Sequence, residues 1–160
     1  MALIRLNNQS ISSVTALPSG IDTGKLLQYK FTTLTTQLTK TGTSGNVNMF
    51  TDLSITPVSS TSYFFVQVNA PENQTVSNTA NSIRFELLKN GSVVHTFTTN
   101  DLYRSASDER CSFTGVYTGI NNQSSTFTLN VGFRNGNYSK TAYVSVNNSV
   151  STLSVYEIES

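Results

Sequence analysis

Thr126-Phe-Thr-Leu-Asn-Val-Gly-Phe-Arg134 alternates apolar and polar residues without a break. Successive side chains of an extended chain point to opposite faces, so Phe127, Leu129, Val131 and Phe133 share one side, and a strand with one buried face is expected. The pattern continues downstream. Residues 140–146 alternate through Ala142, Val144 and Val146, and residues 151–158 (STLSVYEI) carry Leu153 and Val155 inward, together with Tyr156 or Ile158. Asn135-Gly136 and Asn147-Asn148 supply the turns between these runs.

Upstream the chain reads the same way. Residues 83–97 (IRFELLKNGSVVHTF) place two apolar-rich arms around Asn90-Gly91, a pair that tolerates the positive φ values of a tight hairpin turn. Residues 62–68 (SYFFVQV) and 110–117 (RCSFTGVY) read as strands, residues 26–34 (LLQYKFTTL) alternate loosely, and residues 47–55 hold a short strand closed by Thr56-Pro57. Residues 39–46, 69–81 and 118–125 read as loops, and the second is long enough for a contact loop. No stretch repeats apolar residues at helical spacing beyond about two turns. The expected fold is all-β: an antiparallel β-sandwich, a jelly roll of about eight strands, over residues 25–160. An immunoglobulin-like sandwich is the alternative, although it would usually want a core tryptophan and the chain has none.

Residues 1–24 differ. Leu3, Ile4, Leu6, Ile11, Val14, Leu17 and Ile21 stand singly among polar residues with no sustained period, which predicts an extended N-terminal arm that lies against something, or else a frayed tail. The opening has no basic stretch followed by an apolar run of signal-peptide length, so synthesis and assembly in a cytoplasm are expected. No apolar run approaches membrane-spanning length, and a membrane is not an expected partner.

Ser, Thr, Asn and Gln make up 69 of the 160 residues, against 12% charged, so solubility has to come from hydroxyls and amides. The ten Lys and Arg are scattered singly and the net charge is +1. Phosphate backbones call for clustered cations, so nucleic acid is not expected either. Seven tyrosines offer contact area at low entropy cost, though most should be half-buried strand residues.

The residues that carry chemistry are few. One histidine, His95, and one cysteine, Cys111, cannot close a zinc site in practice, and no nucleophile-elbow motif accompanies His95. Cys111 reads as a small buried hydrophobe; a reactive thiol would need a base or cations around it. Asp108-Glu109 are strand neighbours that point apart rather than a dyad. A calcium ion on Asp101, Asp108 and loop carbonyls, or two carboxylates paired across strands as in glycosidases, would need contacts that spacing does not give; Arg104 and Arg110 are the nearer partners for these acids. Gly42-Thr-Ser-Gly45 lacks the Gly-Lys-Ser/Thr ending of a phosphate loop and reads as a turn. No enzyme activity, cofactor or metal is expected. The candidate contact residues are Asn73, Gln74 and Asn78 in one loop and Asn121, Asn122 and Gln123 in another.

The opening, MALIRLNNQSISSVTALPSG, resembles the N-termini of structural proteins of tailed phages, particularly marine and cyanobacterial ones. The body is similar to the trimeric jelly rolls of phage decoration proteins and fibre tips, related in shape to the tumour necrosis factor fold, and STLSVYEIE resembles the last inner-sheet strand of such modules. The resemblance implies a homotrimer on the outer surface of a virion, with no catalytic residues. It leaves two functions open. One is a capsid decoration or cement protein whose arm lies over the major capsid protein. The other is a tail-fibre or receptor-binding tip that recognises host glycans.

Overall fold

The computed structural model describes residues 24–76, 83–97, 110–136 and 141–160. The arm residues Leu3, Ile4, Leu6, Ile11, Val14, Leu17 and Ile21, and also Asn78, Asp101, Arg104, Asp108 and Glu109, lie outside them. Eleven strands run in order: β1 (Leu26–Leu34), β2 (Leu38–Thr41), β3 (Val47–Asn48), β4 (Leu53–Ile55), β5 (Tyr63–Val76), β6 (Ile83–Lys89), β7 (Ser92–Thr96), β8 (Arg110–Asn121), β9 (Phe127–Asn135), β10 (Thr141–Val144) and β11 (Ser151–Ile158). A single 3₁₀ turn, Val146–Asn148, precedes β11, and no α-helix occurs among the described residues.

The strands form two antiparallel sheets, a β-sandwich of jelly-roll class. One sheet has six strands in the order β1-β11-β5-β10-β2, with β8 on the other edge of β5; β11 and β10 lie end to end along β5. The other has five: β7 beside β6, β6 beside β9, and β3 and β4 in succession along the far edge of β9. The inner faces meet through Phe64, Val66, Val68, Leu153 and Val155 on one side and Phe85, Leu87, Leu129, Val131 and Phe133 on the other, all essentially inaccessible. Phe64 meets Phe127 edge-on at 5.2 Å, and Phe85 stacks on Phe113 at 4.3 Å, so rings interdigitate across the layers. Burying each such side chain is worth about 1.5–3 kcal/mol.

The alternation read from 126–134 holds, with Phe127, Leu129, Val131 and Phe133 in the core. Ala142, Val144 and Val146 are buried as expected. The Asn90-Gly91 hairpin forms with φ of 50° and 76°. Several expectations are corrected. Residues 69–81 were expected to loop, but β5 continues through Val76. A bulge between Ala70 and Asn73 absorbs Pro71 and Glu72, the place where a sheet tolerates a residue with no N–H. Residues 38–41 pair with β10, so the loop expected at 39–46 shrinks to a turn whose Gly42 and Gly45 have positive φ. Residues 118–121 likewise extend β8 rather than opening a loop.

The single strand expected at 47–55 is two. Between them the Asn130 amide fills the gap: its Oδ1 accepts from Phe50 N–H at 3.1 Å, and its Nδ2 donates to Phe50 O at 2.7 Å and Asp52 Oδ1 at 2.6 Å. Finally, β11 turns Ser151, Leu153, Val155 and Glu157 inward, so neither Tyr156 nor Ile158 faces the core.

Candidate functional site

The two candidate contact loops do not come together. Asn121 pairs with Tyr63 at one end of β5 and Gln74 pairs with Arg110 near the other, eleven residues or roughly 35 Å along the strand. Asn73 is no contact residue. It is fully buried, and its Nδ2 donates to Ala70 O at 2.8 Å and Cys111 O at 3.2 Å, closing the bulge beside Pro71. Gln74 is half-buried in the β5 ladder. Asn122 adopts φ 53° and donates its N–H to Ser62 O at 3.0 Å. Gln123 accepts from Lys89 Nζ and donates to Asn121 O at 2.6 Å. Of the six, only Asn121 and Asn122 are exposed residues of the described chain.

Two carboxylates are engaged in holding the fold. Glu157 is fully buried yet accepts from Val58 N–H at 2.9 Å, Ser59 N–H at 3.0 Å, Ser62 Oγ at 2.6 Å and Gln28 Nε2. Burial pushes its carboxyl up. The bonds from Gln28, Ser62, Ser59 and Val58 outweigh that and hold it below the usual glutamate value. Glu86 is similar: burial raises it, but bonds from Asn46 at 2.7 Å and Arg134 at 3.1 Å, with the charges of Arg134 and Arg84, bring it below the usual value. Sequence reading passed over both acids.

Arg110 pairs with Glu72 at 3.0 Å across β5 and β8; the acids expected as its partners, Asp101 and Asp108, lie outside the described residues. His95 is half-buried, stacked on Tyr117 at 4.4 Å. Cys111 is half-buried, with its thiol 3.6 Å from Asn73 O. Among the described residues no group of three or more His, Cys, Asp or Glu is placed to hold a metal ion.

The distinctive surface is the outer face of the six-stranded sheet, and β1 shows why. Its inward row is polar at Gln28, Lys30 and Thr32 and turns apolar only at Leu34. Gln28 and Lys30 reach across the sandwich edge to Thr56 O and Ser54 O, each at 2.8 Å. Its apolar row, Leu26, Tyr29 and Phe31, points to solvent, with 54%, 47% and 58% exposure. Strand register aligns Tyr29 with Tyr156 and Phe65, Leu26 with Ile158 and Tyr63, and Phe31 with Ser154, Gln67 and Val116.

The rings form a continuous band. Phe31 stacks on Tyr29 at 5.7 Å, Tyr29 lies 4.8 Å from Tyr156, and Phe65 meets Tyr156 edge-on at 5.8 Å. A cleft of about 280 Å³ opens beside them, lined by Gly24, Leu26, Phe65, Gln67, Tyr156 and Ile158. A side chain at position 24 would put its Cβ 2.8 Å from Ile158 Cγ2, so glycine is what lets the backbone lie this close. The outward residues of β1, β11 and the 63–69 half of β5 include no charge. The sequence carries a trace of this face: strands 62–68 and 151–158 have apolar residues at both odd and even positions, which a sheet with one wet side does not need.

No family model matches the chain, and no curated protein matches it. Solved structures with a similar course include the CBM36-1 domain of a multidomain xylanase from the hindgut metagenome of Trinervitermes trinervoides, at 14% identity and a TM-score of 0.39, over 80% of this chain and 96% of that one. The EclA C-terminal domain, a sugar-binding protein, matches at 12% identity and 0.38, over 94% and 99%. A chain of infectious bursal disease virus, Gt strain, matches at 13% and 0.37 over 84% of this chain, which spans 39% of the viral one. At these identities and scores none of them bears on what this chain binds.

Proposed function

We propose that this chain is a non-enzymatic virion surface protein of the decoration or cement class, which assembles as a homotrimer and stabilises a shell by binding its major capsid protein. The observation that carries the reading is the inverted strand β1, with polar groups turned into the sandwich and Leu26, Tyr29 and Phe31 turned out. A contiguous exposed apolar patch of this kind on a folded domain marks an interaction surface. The carboxylates Glu86 and Glu157 are engaged in structural hydrogen bonds, which supports a role that runs through surfaces rather than through a reactive pocket. In this reading residues 1–24 lie over the capsid protein, and threefold symmetry multiplies a weak single contact.

A second reading, a fibre tip that binds host glycans, is favoured by one feature: the Tyr29–Tyr156 ring pair is flanked by the Gln67 amide and the Ser154 hydroxyl. The test is binding of the purified protein to empty shells against binding to a neutral glycan array. Saturable binding to shells with a silent array supports cement. Array binding with unoccupied shells supports the tip and ends the cement reading.

A further inference from the structure

We infer that copies of this chain meet one another through the outer face of the six-stranded sheet, burying Leu26, Tyr29, Phe31, Phe65, Tyr156 and Ile158 between them; this rests on the assembly reading above and names where the copies touch. Three observations select a second copy as the occupant. The first is charge. Where three copies converge on a threefold axis the same residues of each lie near one another, and a face with no outward charge between Leu26 and Thr33, Thr152 and Ile158, or Tyr63 and Asn69 adds no like-charge repulsion there.

The second is composition. A sugar needs hydrogen-bonding groups around its stacking ring, yet the cleft beside Tyr156 offers Gly24, Leu26, Phe65 and Ile158, with Gln67 as its one amide side chain. Aliphatic groups gain from other aliphatic groups rather than from hydroxyls.

The third is size. Leu26, Tyr29, Phe31 and Val116, each about half exposed, present on the order of 400 Å² if a fully exposed large side chain offers roughly 200 Å². That is in the range of functional surface patches. With the half-buried Tyr63, Phe65, Tyr156 and Ile158, and the Ser, Thr, Asn and Gln around them, it approaches the roughly 800 Å² per partner of a standard interface.

The test is light-scattering mass of the full chain at micromolar concentration. Wild type should give three chain masses. Tyr29→Ser with Phe31→Ser should give one chain mass with an unchanged β spectrum. Val93→Ser with Val94→Ser, positions of β7 in the other sheet with 50% and 39% exposure, should keep three. A wild type of one chain mass overturns the inference, as does a Tyr29/Phe31 variant that stays trimeric.

Two outcomes reassign the face and equally overturn it. One is a monomer whose tyrosine fluorescence titrates with maltohexaose. The other is a monomer that associates only when residues 1–23 are removed. A monomer that still saturates empty shells sinks this inference while leaving the cement reading intact; a trimer through this face that ignores shells does the reverse.

Discussion

Glu157 shows how one side chain can carry a loop. Its carboxylate gathers Val58 N–H, Ser59 N–H, Ser62 Oγ and Gln28 Nε2, and so ties the 56–62 segment and β1 to the end of β11. Replacing it by Gln puts an amide N–H₂ against backbone N–H donors. Glu157→Gln should therefore cost about 3 kcal/mol in denaturant unfolding, since each lost bond to a charged group is worth about 1.5–3 kcal/mol. The pH dependence has a definite sign. Both Glu157 and Glu86 are held below the usual value in the fold, so the stability they contribute is fully present above the unfolded glutamate pKa of about 4.3 and is lost as pH falls through their folded values. Wild-type unfolding free energy should fall on acidification below about pH 4.5, and Glu157→Gln should flatten that fall. An equal slope in both proteins would mean the carboxylate is not the group responsible.

Asn130 is a second residue of this kind. The sequence places it on the outward face of β9, and only the structure shows its amide bridging the gap between β3 and β4. Asn130→Ala leaves Phe50 N–H and C=O without partners in a buried site and should cost about 2–4 kcal/mol, measured by chemical denaturation. Such roles are invisible in a pattern of apolar and polar letters, because a buried amide and a solvated one are written alike.

At the scale of elements, the strands with one apolar face could be read directly. Strand β9, the β6–β7 hairpin and β10 follow from alternation and from Asn90-Gly91. Gly91 adopts φ 76°, and Asn90 Oδ1 accepts from Thr128 N–H at 2.8 Å, which couples the turn to β9. Gly91→Val should cost about 1–2 kcal/mol for the strained left-handed residue, and so lower the thermal midpoint by roughly 2–8 °C in a chain of this size. No change in midpoint would mean that the turn is free to rearrange.

The strands that could not be read fail for physical reasons. The second half of β5 hides behind Pro71 and Glu72, which sit in a bulge, and its inward residues Asn73 and Thr75 are polar. In β1 and β11 the inward row includes Gln28, Lys30 and Glu157, while aromatic residues face out. Parity alone cannot say which row is inside when both rows carry apolar side chains. The band of Tyr29, Phe31, Phe65 and Tyr156 was therefore legible only as an excess of tyrosine and as apolar residues of both parities.

At the scale of the whole molecule, the sandwich presents an aromatic patch without outward charge on β1, β11 and the 63–69 half of β5, and hydroxyls and amides are abundant in the sequence around it. Deleting residues 1–24 should leave the sandwich folded and still three chains in size, because the core draws on residues from Leu34 onward, while shell attachment is lost. Full decoration by the truncated chain would show that the arm plays no part.

The most direct measurement of the central claim, that the outer face of the six-stranded sheet is the working surface, is side-chain oxidative footprinting of the assembled protein against the Tyr29→Ser, Phe31→Ser variant. Phe65 and Tyr156 should be protected in wild type and labelled in the variant, while Val93 and Val94 label equally in both. Equal labelling of Phe65 and Tyr156 in the two proteins would contradict it.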